Sequence, residues 1–212
     1  MARPSRAREK RADLVAAARD VVFQRGVVDL RLRDVAERAG MSTGSVLYYF
    51  PALADLLREV QRDAVERFCV DREEAARREP DPRRRLLGMI RAGLPTGRDD
   101  ELCVLLYELG AYARRDPAYA AEHIRLCERQ VALYASVLEA GAATGVFTLT
   151  RDATTLARTF VMLEDGMGLH LTQAVPTLDR RQAERLLLAA ASDATGVDLE
   201  AVPGTTEGVT GG

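Results

Sequence analysis

The sequence predicts an all-α fold, and three observations indicate it. Apolar residues recur at intervals of three and four along most of the 212 residues, which is the spacing of one helix face. No stretch shows the sustained alternation of β-branched and aromatic residues that is typical of strands. Proline and glycine divide the chain into segments of helical length. Nine helices are therefore expected.

The predicted helices have identifiable start and stop signals. Gly26 ends the first helix, and Pro80 ends the long fourth helix. Asp81-Pro82 and Asp116-Pro117 each place a capping carboxylate before a proline at the first helical position. The helices are predicted over residues 5–25, 32–39, 42–49, 51–79, 82–94, 101–115, 117–143, 153–171 and 179–195.

Three parts of the chain differ in composition and are expected to differ in role. Residues 1–50 form a small N-terminal helical domain, and residues 51–198 form a larger helical body. The last residues, 199–212, are rich in glycine and threonine, which predicts a disordered tail.

The net charge of −2 hides an asymmetry between the two ends of the chain. Residues 1–60 hold eleven Lys and Arg against eight Asp and Glu, whereas residues 61–212 hold nineteen against twenty-four. A basic end on an acidic body suits a polyanionic partner at that end, although basic starts also occur as solvated tails. The cations of residues 1–11 are Arg3, Arg6, Arg8, Lys10 and Arg11, against Glu9 alone.

Composition disfavours membrane and secreted proteins. No apolar run approaches the ~18 residues of a membrane span, and the basic N-terminus lacks the apolar stretch of a secretory signal. Cys69, Cys103 and Cys127 lie far apart, so neither a disulfide framework nor a structural zinc site is expected. A soluble, reduced, cytoplasmic protein is expected.

The sequence also lacks the motifs of common enzymes. His123 and His170 have no partner at Glu-x-x-His or His-x-x-x-His spacing, so neither a di-iron bundle nor a zinc protease is supported. A glycine-rich phosphate loop and a Gly-x-Ser-x-Gly nucleophile motif are absent. We therefore expect no enzymatic activity, no metal and no cofactor.

Residues 32–50, LRDVAERAGMSTGSVLYYF, have the pattern of a helix-turn-helix. Ala36 is small where the second helix crosses closely, and Gly40 supplies the positive φ of the turn. Ser42 can cap the second helix, whose first turn then presents N–H groups and small side chains to DNA. The apolar contacts that fix the crossing angle are Val35, Ala39, Met41 and Val46. Behind a basic first helix, this set predicts DNA binding.

Tyr48 and Tyr49 end this second helix, where their hydroxyls can reach DNA phosphates. The alternative is that Tyr49 and Phe50 only close the small core, which is the role we expect for Phe50.

At these residues the chain resembles the tetracycline-repressor (TetR) family of bacterial regulators. Residues 10–60 are similar to the family's DNA-binding domain, with RDVAERAG at 33–40 followed by MSTGSVLYYF at 41–50. LGAYARRDPAY at 109–119 and EDGMGLH at 164–170 resemble stretches in the ligand domains of many members. The resemblance implies an all-α fold of about nine helices, with an N-terminal helix-turn-helix domain and a C-terminal domain for ligand binding and dimerisation.

The resemblance also implies which residues meet DNA. Arg31 stands where the family often has a threonine cap, and Leu47 and Leu53 replace a tyrosine and a lysine that contact the DNA backbone. Because the implied base-facing side chains are small, specificity is expected to rely on thymine methyl contacts and DNA shape. Arg33 has the alternative of an ion pair with Asp29 or Glu37. The implied DNA-binding residues are Arg31, Arg33, Ser42, Thr43, Gly44, Ser45, Tyr48 and Tyr49.

The eighth and ninth predicted helices have wide apolar faces, which suggests a four-helix dimer interface as in the family. A homodimer would present its recognition helices to successive major grooves, about 34–36 Å apart, on a palindromic double-stranded operator. Gly166 and Gly168 would allow close approach of the helices. The predicted interface residues are Leu156, Leu163, Met167, Leu171, Leu186, Leu187 and Ala190.

A mostly apolar effector cavity is expected among the fifth to eighth helices, near Tyr107, Tyr134, Phe160 and Glu164. Glu164 is singled out because its helical neighbours at 157, 160, 168 and 171 are Ala, Phe, Gly and Leu. A carboxylate in apolar surroundings needs a cation, which suggests a positively charged ligand. The alternatives are an internal arginine partner and a polar contact across the dimer interface.

We therefore expect a homodimeric DNA-binding transcriptional regulator, a repressor that a small-molecule effector releases from its operator. The alternative from another class is a helical small-molecule-binding or enzymatic bundle that carries a basic helical hairpin and has no specific DNA role. Sequence-specific retention of DNA separates the two.

Overall fold

A computed structural model describes residues 3–28 and 30–202 of the chain. Within these ranges the chain forms nine α-helices and no strand, which confirms the predicted all-α class. The helices are α1 (Arg3–Arg25), α2 (Leu32–Arg38), α3 (Thr43–Tyr49), α4 (Leu53–Arg78), α5 (Pro82–Gly93), α6 (Glu101–Gly110), α7 (Pro117–Ala143), α8 (Ala153–Thr172) and α9 (Arg180–Thr195).

The helix ends follow the predicted signals. The Asp81 carboxylate accepts a hydrogen bond from the Arg83 N–H at 3.0 Å, and Pro82 is the first residue of α5. Gly26, with φ +74°, follows α1 directly. The sixth helix is shorter than predicted: α6 ends at Gly110, and Ala111–Arg114 form a 3₁₀ turn. Glycine disfavours the helix interior, which explains why the α-helix stops there.

The described residues form two compact units, and the first comprises residues 3–28, 30–68 and 101–125. In this unit α1 packs against α2 and α6, and α2 packs against α3. Its buried side chains include Leu14, Val35, Val46, Phe50 and Leu105.

Among the described residues, the second unit comprises 69–100 and 126–202. In this unit α9 packs against α5 and α8. The core side chains include Leu86, Ile90, Tyr134, Leu138, Phe160 and Leu187. The predicted division of the chain after residue 50 stays a prediction, since α4 and α7 contribute residues to both units.

The tail that the sequence predicts from residue 199 begins too early. Leu199 is fully buried in the core of the second unit, and its N–H donates to the Ser192 hydroxyl at 3.1 Å. Burial of this one apolar side chain outweighs the tendency to disorder that the surrounding glycine-rich composition predicts. Residues 203–212 of the predicted tail lie outside the described residues.

Candidate nucleic-acid interface and candidate effector site

Helices α2 and α3 form the helix-turn-helix. Gly40 has φ +61°, and the Met41 N–H donates to the Ala36 carbonyl at 2.9 Å, which closes the turn. Ala36 and Val46 are buried where α2 and α3 meet. Ala36 therefore allows the close helix contact, and Gly40 the left-handed turn, that the sequence predicts.

The start of α3 is fixed by Ser42. Its hydroxyl accepts a hydrogen bond from the Ser45 N–H at 3.1 Å and lies 2.8 Å from the Ser45 hydroxyl. These contacts fix the positions of the Ser42 and Ser45 side chains, which are both predicted to bind DNA, at the protein surface.

The outer face of α3 is exposed. Thr43 and Gly44 face solvent, and Tyr48 is 82% exposed although it is a large aromatic residue. Its ring meets the half-buried Tyr49 ring edge to face, with the centroids 5.1 Å apart. An open groove beside α3 is lined by Arg6, Lys10, Met41, Ser42, Gly44, Ser45, Tyr48 and Tyr49. Six of the eight predicted DNA-binding residues lie on α3 or at its start. They are Ser42, Thr43, Gly44, Ser45, Tyr48 and Tyr49.

The other two predicted DNA-binding residues lie at the start of α2. Arg31 and Arg33 are exposed, and the Arg31 N–H donates to the Asp34 carboxylate at 2.8 Å. Asp34 thereby satisfies the N–H of Arg31, and the Asp34 N–H donates to the Arg31 carbonyl at 2.9 Å, so the start of α2 forms without a side-chain cap at position 31. Arg33 lies 3.9 Å from the same carboxylate, so its ion pair is with Asp34 rather than Glu37. Asp29, the other predicted partner, lies outside the described residues.

Glu164 lies in a buried polar cluster in the second unit. The carboxylate is 2% exposed, and the Arg72 guanidinium donates to it from 3.0 Å. The Tyr134 hydroxyl also donates to Glu164. Arg72 donates further to the Gln130 side-chain oxygen at 2.8 Å and to the Met89 carbonyl at 3.1 Å. Of the alternatives that the sequence left open for Glu164, the structure contains the internal arginine.

Burial and charge set the protonation of this cluster. Burial, together with the nearby Glu164 charge, raises the pKa of Tyr134 well above its usual value, so the phenol stays a hydrogen-bond donor. Burial also raises the pKa of Glu164, while the Arg72 guanidinium opposes this rise. Burial acts against the charged form of Arg72, but Glu164 and Tyr134 outweigh it and raise the pKa, so the guanidinium stays charged.

Three of the four predicted effector residues lie together in this cluster. Tyr134 packs edge to face on Phe160, with the ring centroids 5.6 Å apart, and bonds to Glu164. Tyr107 lies on α6 in the first unit and is half-buried. Its assignment to the effector site stays a prediction.

Sequence reasoning missed Arg72, Gln130 and Gly93. Gly93 lies against Glu164: a Cβ built on it would be 1.9 Å from Oε1. The signal that singled out Glu164 also marks the two missed polar residues, because each lies on an apolar helical line. The neighbours at three and four positions are Phe68, Cys69, Ala75 and Ala76 for Arg72, and Leu126, Cys127, Leu133 and Tyr134 for Gln130.

The predicted interface set on α8 and α9 mixes core and surface residues. Leu156, Leu171 and Leu187 are buried within the single chain, so their place in the interface is corrected to the core. Leu163, Met167 and Ala190 are half-buried, and Leu186 is 55% exposed. The predicted interface set does not include Met162 and Leu169, although both are exposed on α8.

Two negative observations concern the described residues. No helix among residues 3–28 and 30–202 is long and apolar enough to span a bilayer. Over the same ranges, no group of three or more His, Cys, Asp or Glu side chains is placed to hold a metal ion.

Two family models match the chain. The model described as bacterial regulatory proteins of the tetR family matches residues 14–60. The model described as the C-terminal part of BetI-type transcriptional repressors matches residues 82–195, more than half of the chain. A comparison with curated proteins gives no match.

Solved structures of regulators share the fold. A TetR transcription regulator from Haloarcula marismortui is 24% identical, with a TM-score of 0.76 over 88% of this chain and 96% of that one. A putative transcriptional regulator from Saccharomonospora viridis, solved in complex with choline, is 23% identical, with a TM-score of 0.78 over 84% and 93%. A putative TetR-family regulator from Rhodococcus is 25% identical, with a TM-score of 0.72 over 88% and 98%.

Proposed function

Because the chain belongs to the tetR family of bacterial regulatory proteins and has the C-terminal domain of BetI-type transcriptional repressors, we propose that it represses transcription as a homodimer on a palindromic operator. The chain is a DNA-binding transcriptional regulator. In the proposed cycle, a small-molecule effector releases the operator.

The observation that supports the DNA contact is the exposed face of α3. Tyr48 projects into solvent beside Thr43 and Gly44, and Arg6 and Lys10 of α1 line the groove next to them. An exposed aromatic side chain leaves apolar surface in water unless a partner covers it. Cations beside such a side chain can bind the phosphates of that partner. The small side chains at the start of α3 leave room for base edges in the major groove.

We expect Tyr48→Phe and Tyr49→Phe each to weaken operator binding by roughly fivefold, about 1 kcal/mol, because each removes a hydroxyl that bonds to phosphate. The operator is first selected from random duplexes and footprinted, and affinities are then measured by gel shift. Tyr112→Phe, a half-buried tyrosine outside the helix-turn-helix, is the matched control and should leave affinity unchanged.

Two results would contradict the proposal at different points. Selection that enriches no sequence would favour the helical bundle without a DNA role. Unchanged affinity of Tyr49→Phe would assign that ring to packing against Tyr48.

For the dimer, the proposal rests on the exposed apolar side chains of α8 and α9. Met162 of α8 is 70% exposed and Leu186 of α9 is 55% exposed, and the two helices pack against one another. The footprint of a dimer covers two half-sites about one helical turn apart, and protection of a single half-site would contradict the dimer.

For the effector, the proposal places the site at the Tyr134–Phe160–Glu164 cluster. This cluster already binds one positive group, the Arg72 guanidinium, with a carboxylate and with the Tyr134 ring, whose centroid lies 5.5 Å from the guanidinium carbon. Carboxylates and aromatic faces are also what recognise ammonium ligands. A cationic effector would therefore compete with Arg72 for Glu164, and the Saccharomonospora viridis regulator solved with choline supports this class of ligand.

Binding there would be coupled to DNA through α4. This helix carries Arg72 and begins three residues after Phe50, so it is the element through which effector binding would act on operator binding. A coupling of about 1–3 kcal/mol is typical of two allosterically linked sites.

We expect choline to release the operator from the wild-type protein, whereas 3,3-dimethylbutan-1-ol, its uncharged carbon isostere, should not. The combined variant Arg72→Met/Glu164→Gln should bind operator as the wild type does but lose the response, because no carboxylate remains to attract the cation. Operator binding confirms that the variant is folded. Release by the uncharged isostere, or a full response of the combined variant, would contradict a cationic effector at this cluster.

A further inference from the structure

Arg11 belongs to the basic N-terminal segment, but its guanidinium is engaged within the protein. Nη1 donates to the Tyr49 carbonyl at 2.6 Å, and the guanidinium carbon lies 4.2 Å from the centroid of the Phe50 ring. Tyr49 is the last residue of α3, and Phe50 is its C-cap. Arg11 therefore contacts the C-terminal end of the helix that carries the proposed DNA-binding residues.

The C-terminal end of α3 lacks the usual means of satisfying its carbonyls. Phe50 has φ −135° and ψ 101°, so the left-handed glycine cap is absent, and the last turn of α3 holds no basic residue. A cation near the final carbonyls stabilises a helix end through hydrogen bonding and the helix dipole. Arg11, 38 residues before Tyr49, supplies that cation from α1.

Arg11 also faces a different groove from Arg6 and Lys10. Those two residues line the groove beside α3, together with Ser42 and Tyr48. Arg11 instead lines a groove that contains the carboxylates Asp55, Glu59 and Glu122. Arg58 and Arg62 line the same groove and pair with these carboxylates, so the groove has no surplus of positive charge that would attract a phosphate.

We propose that Arg11 is a positioning residue for operator recognition: it holds the C-terminal end of α3, with Tyr48 and Tyr49, in register, and it does not bind phosphate. The inference rests on the DNA-binding role proposed above. Helix α3 has only seven residues, and short helices depend on their tertiary contacts. A guanidinium is suited to this role because its planar fork donates to a carbonyl while its face stacks on a ring.

The test compares Arg11→Met with Arg6→Met across a series of KCl concentrations, on the selected operator and on a scrambled duplex. Each phosphate contact contributes about 0.9 to the slope of log affinity against log salt. Arg6→Met should therefore reduce the slope by about 0.9 per chain and weaken both duplexes. Arg11→Met should weaken operator binding about tenfold at every salt concentration, the loss expected for one charge-assisted hydrogen bond. It should leave the slope and the scrambled duplex unchanged.

Arg11→Lys distinguishes geometry from charge. The lysine keeps the positive charge near the α3 carbonyls but lacks the planar fork that stacks on Phe50, so we expect it to recover only part of the operator binding that Arg11→Met loses. Faster amide hydrogen exchange over residues 43–50 of the free variant, with α1 unchanged, would confirm that the end of α3 is loosened while the domain stays folded.

Three results would overturn the role of Arg11. These are an unchanged operator affinity of Arg11→Met, a slope reduced by about 0.9 per chain, or full recovery with Arg11→Lys. Failure of the wild-type protein to select any operator would instead count against the DNA-binding role, so the two failures are distinguishable.

Discussion

Glu164→Gln is expected to lower the free energy of unfolding by about 3–5 kcal/mol, because it leaves the Arg72 charge buried without its counter-charge. Both side chains of the pair are almost fully buried, at 3% and 2% exposure. Urea unfolding at one protein concentration measures the loss, since the stability of the proposed dimer would depend on concentration.

The matched control is an ion pair on the same helix that supplies Arg72. Glu74 and Arg78 of α4 lie 2.8 Å apart, but both side chains are largely exposed. Water screens this pair, so Glu74→Gln should change the stability by less than about 0.5 kcal/mol. A similar small change for Glu164→Gln would mean that water reaches the buried pair or that Arg72 has a second anionic partner.

The combined variant Arg72→Met/Glu164→Gln should recover much of the loss. Removing both charges leaves no uncompensated ion, and neutral side chains of similar volume often replace buried pairs without cost. The double-mutant cycle therefore measures the coupling between the two residues. Losses that simply add would show that the two charges do not stabilise one another.

Gly93→Ala is expected to destabilise the protein by about 1–3 kcal/mol, the usual cost of overpacking, although alanine is the better helix former. The added Cβ would be 1.9 Å from Oε1 of Glu164 and 2.3 Å from its Cδ. The carboxylate cannot turn away freely, because Arg72 and Tyr134 both donate to it. Thermal or urea unfolding measures the effect.

Gly88, on the same helix, is the matched control for this substitution. A Cβ on Gly88 would meet no atom within 4 Å, so Gly88→Ala should stabilise the protein by about 0.5–1 kcal/mol through helix propensity alone. In a Glu164→Ala background the carboxylate is gone, and Gly93→Ala should then cost nothing further. A full cost in that background would show that the clash is with another group.

Most of the fold was predictable because helices are specified by local features. The Asp81-Pro82 start, the stop at Gly26 and the regular apolar spacing each act within a few residues of one another, and the nine helices follow from such features. The helix-turn-helix was predictable for the same reason, since Ala36, Gly40 and Ser42 meet within one short segment. The exposed face of α3 follows from that segment.

The candidate effector site was only half predictable. The sequence showed that Glu164 sits on an apolar helical line and needs a positive partner, but Arg72 is 92 residues away. Which of several buried polar residues meet depends on how α4, α7 and α8 pack, and no local pattern encodes that packing. The need for glycine at 93 has the same origin, because it arises from a side chain on another helix.

Local sequence patterns were enough to predict the helices, most of their caps and the residues of the helix-turn-helix. Tertiary structure alone decided that Glu164 pairs with Arg72, that Leu199 is buried and that Leu187 faces the core of its own chain while Leu186 does not. It also decided that Arg11 bonds to the end of α3 instead of facing the groove with Arg6. The difference lies in how far apart along the chain the interacting residues are. Backbone hydrogen bonds and caps join residues that are neighbours in sequence, whereas burial and charge pairing depend on which helix faces meet.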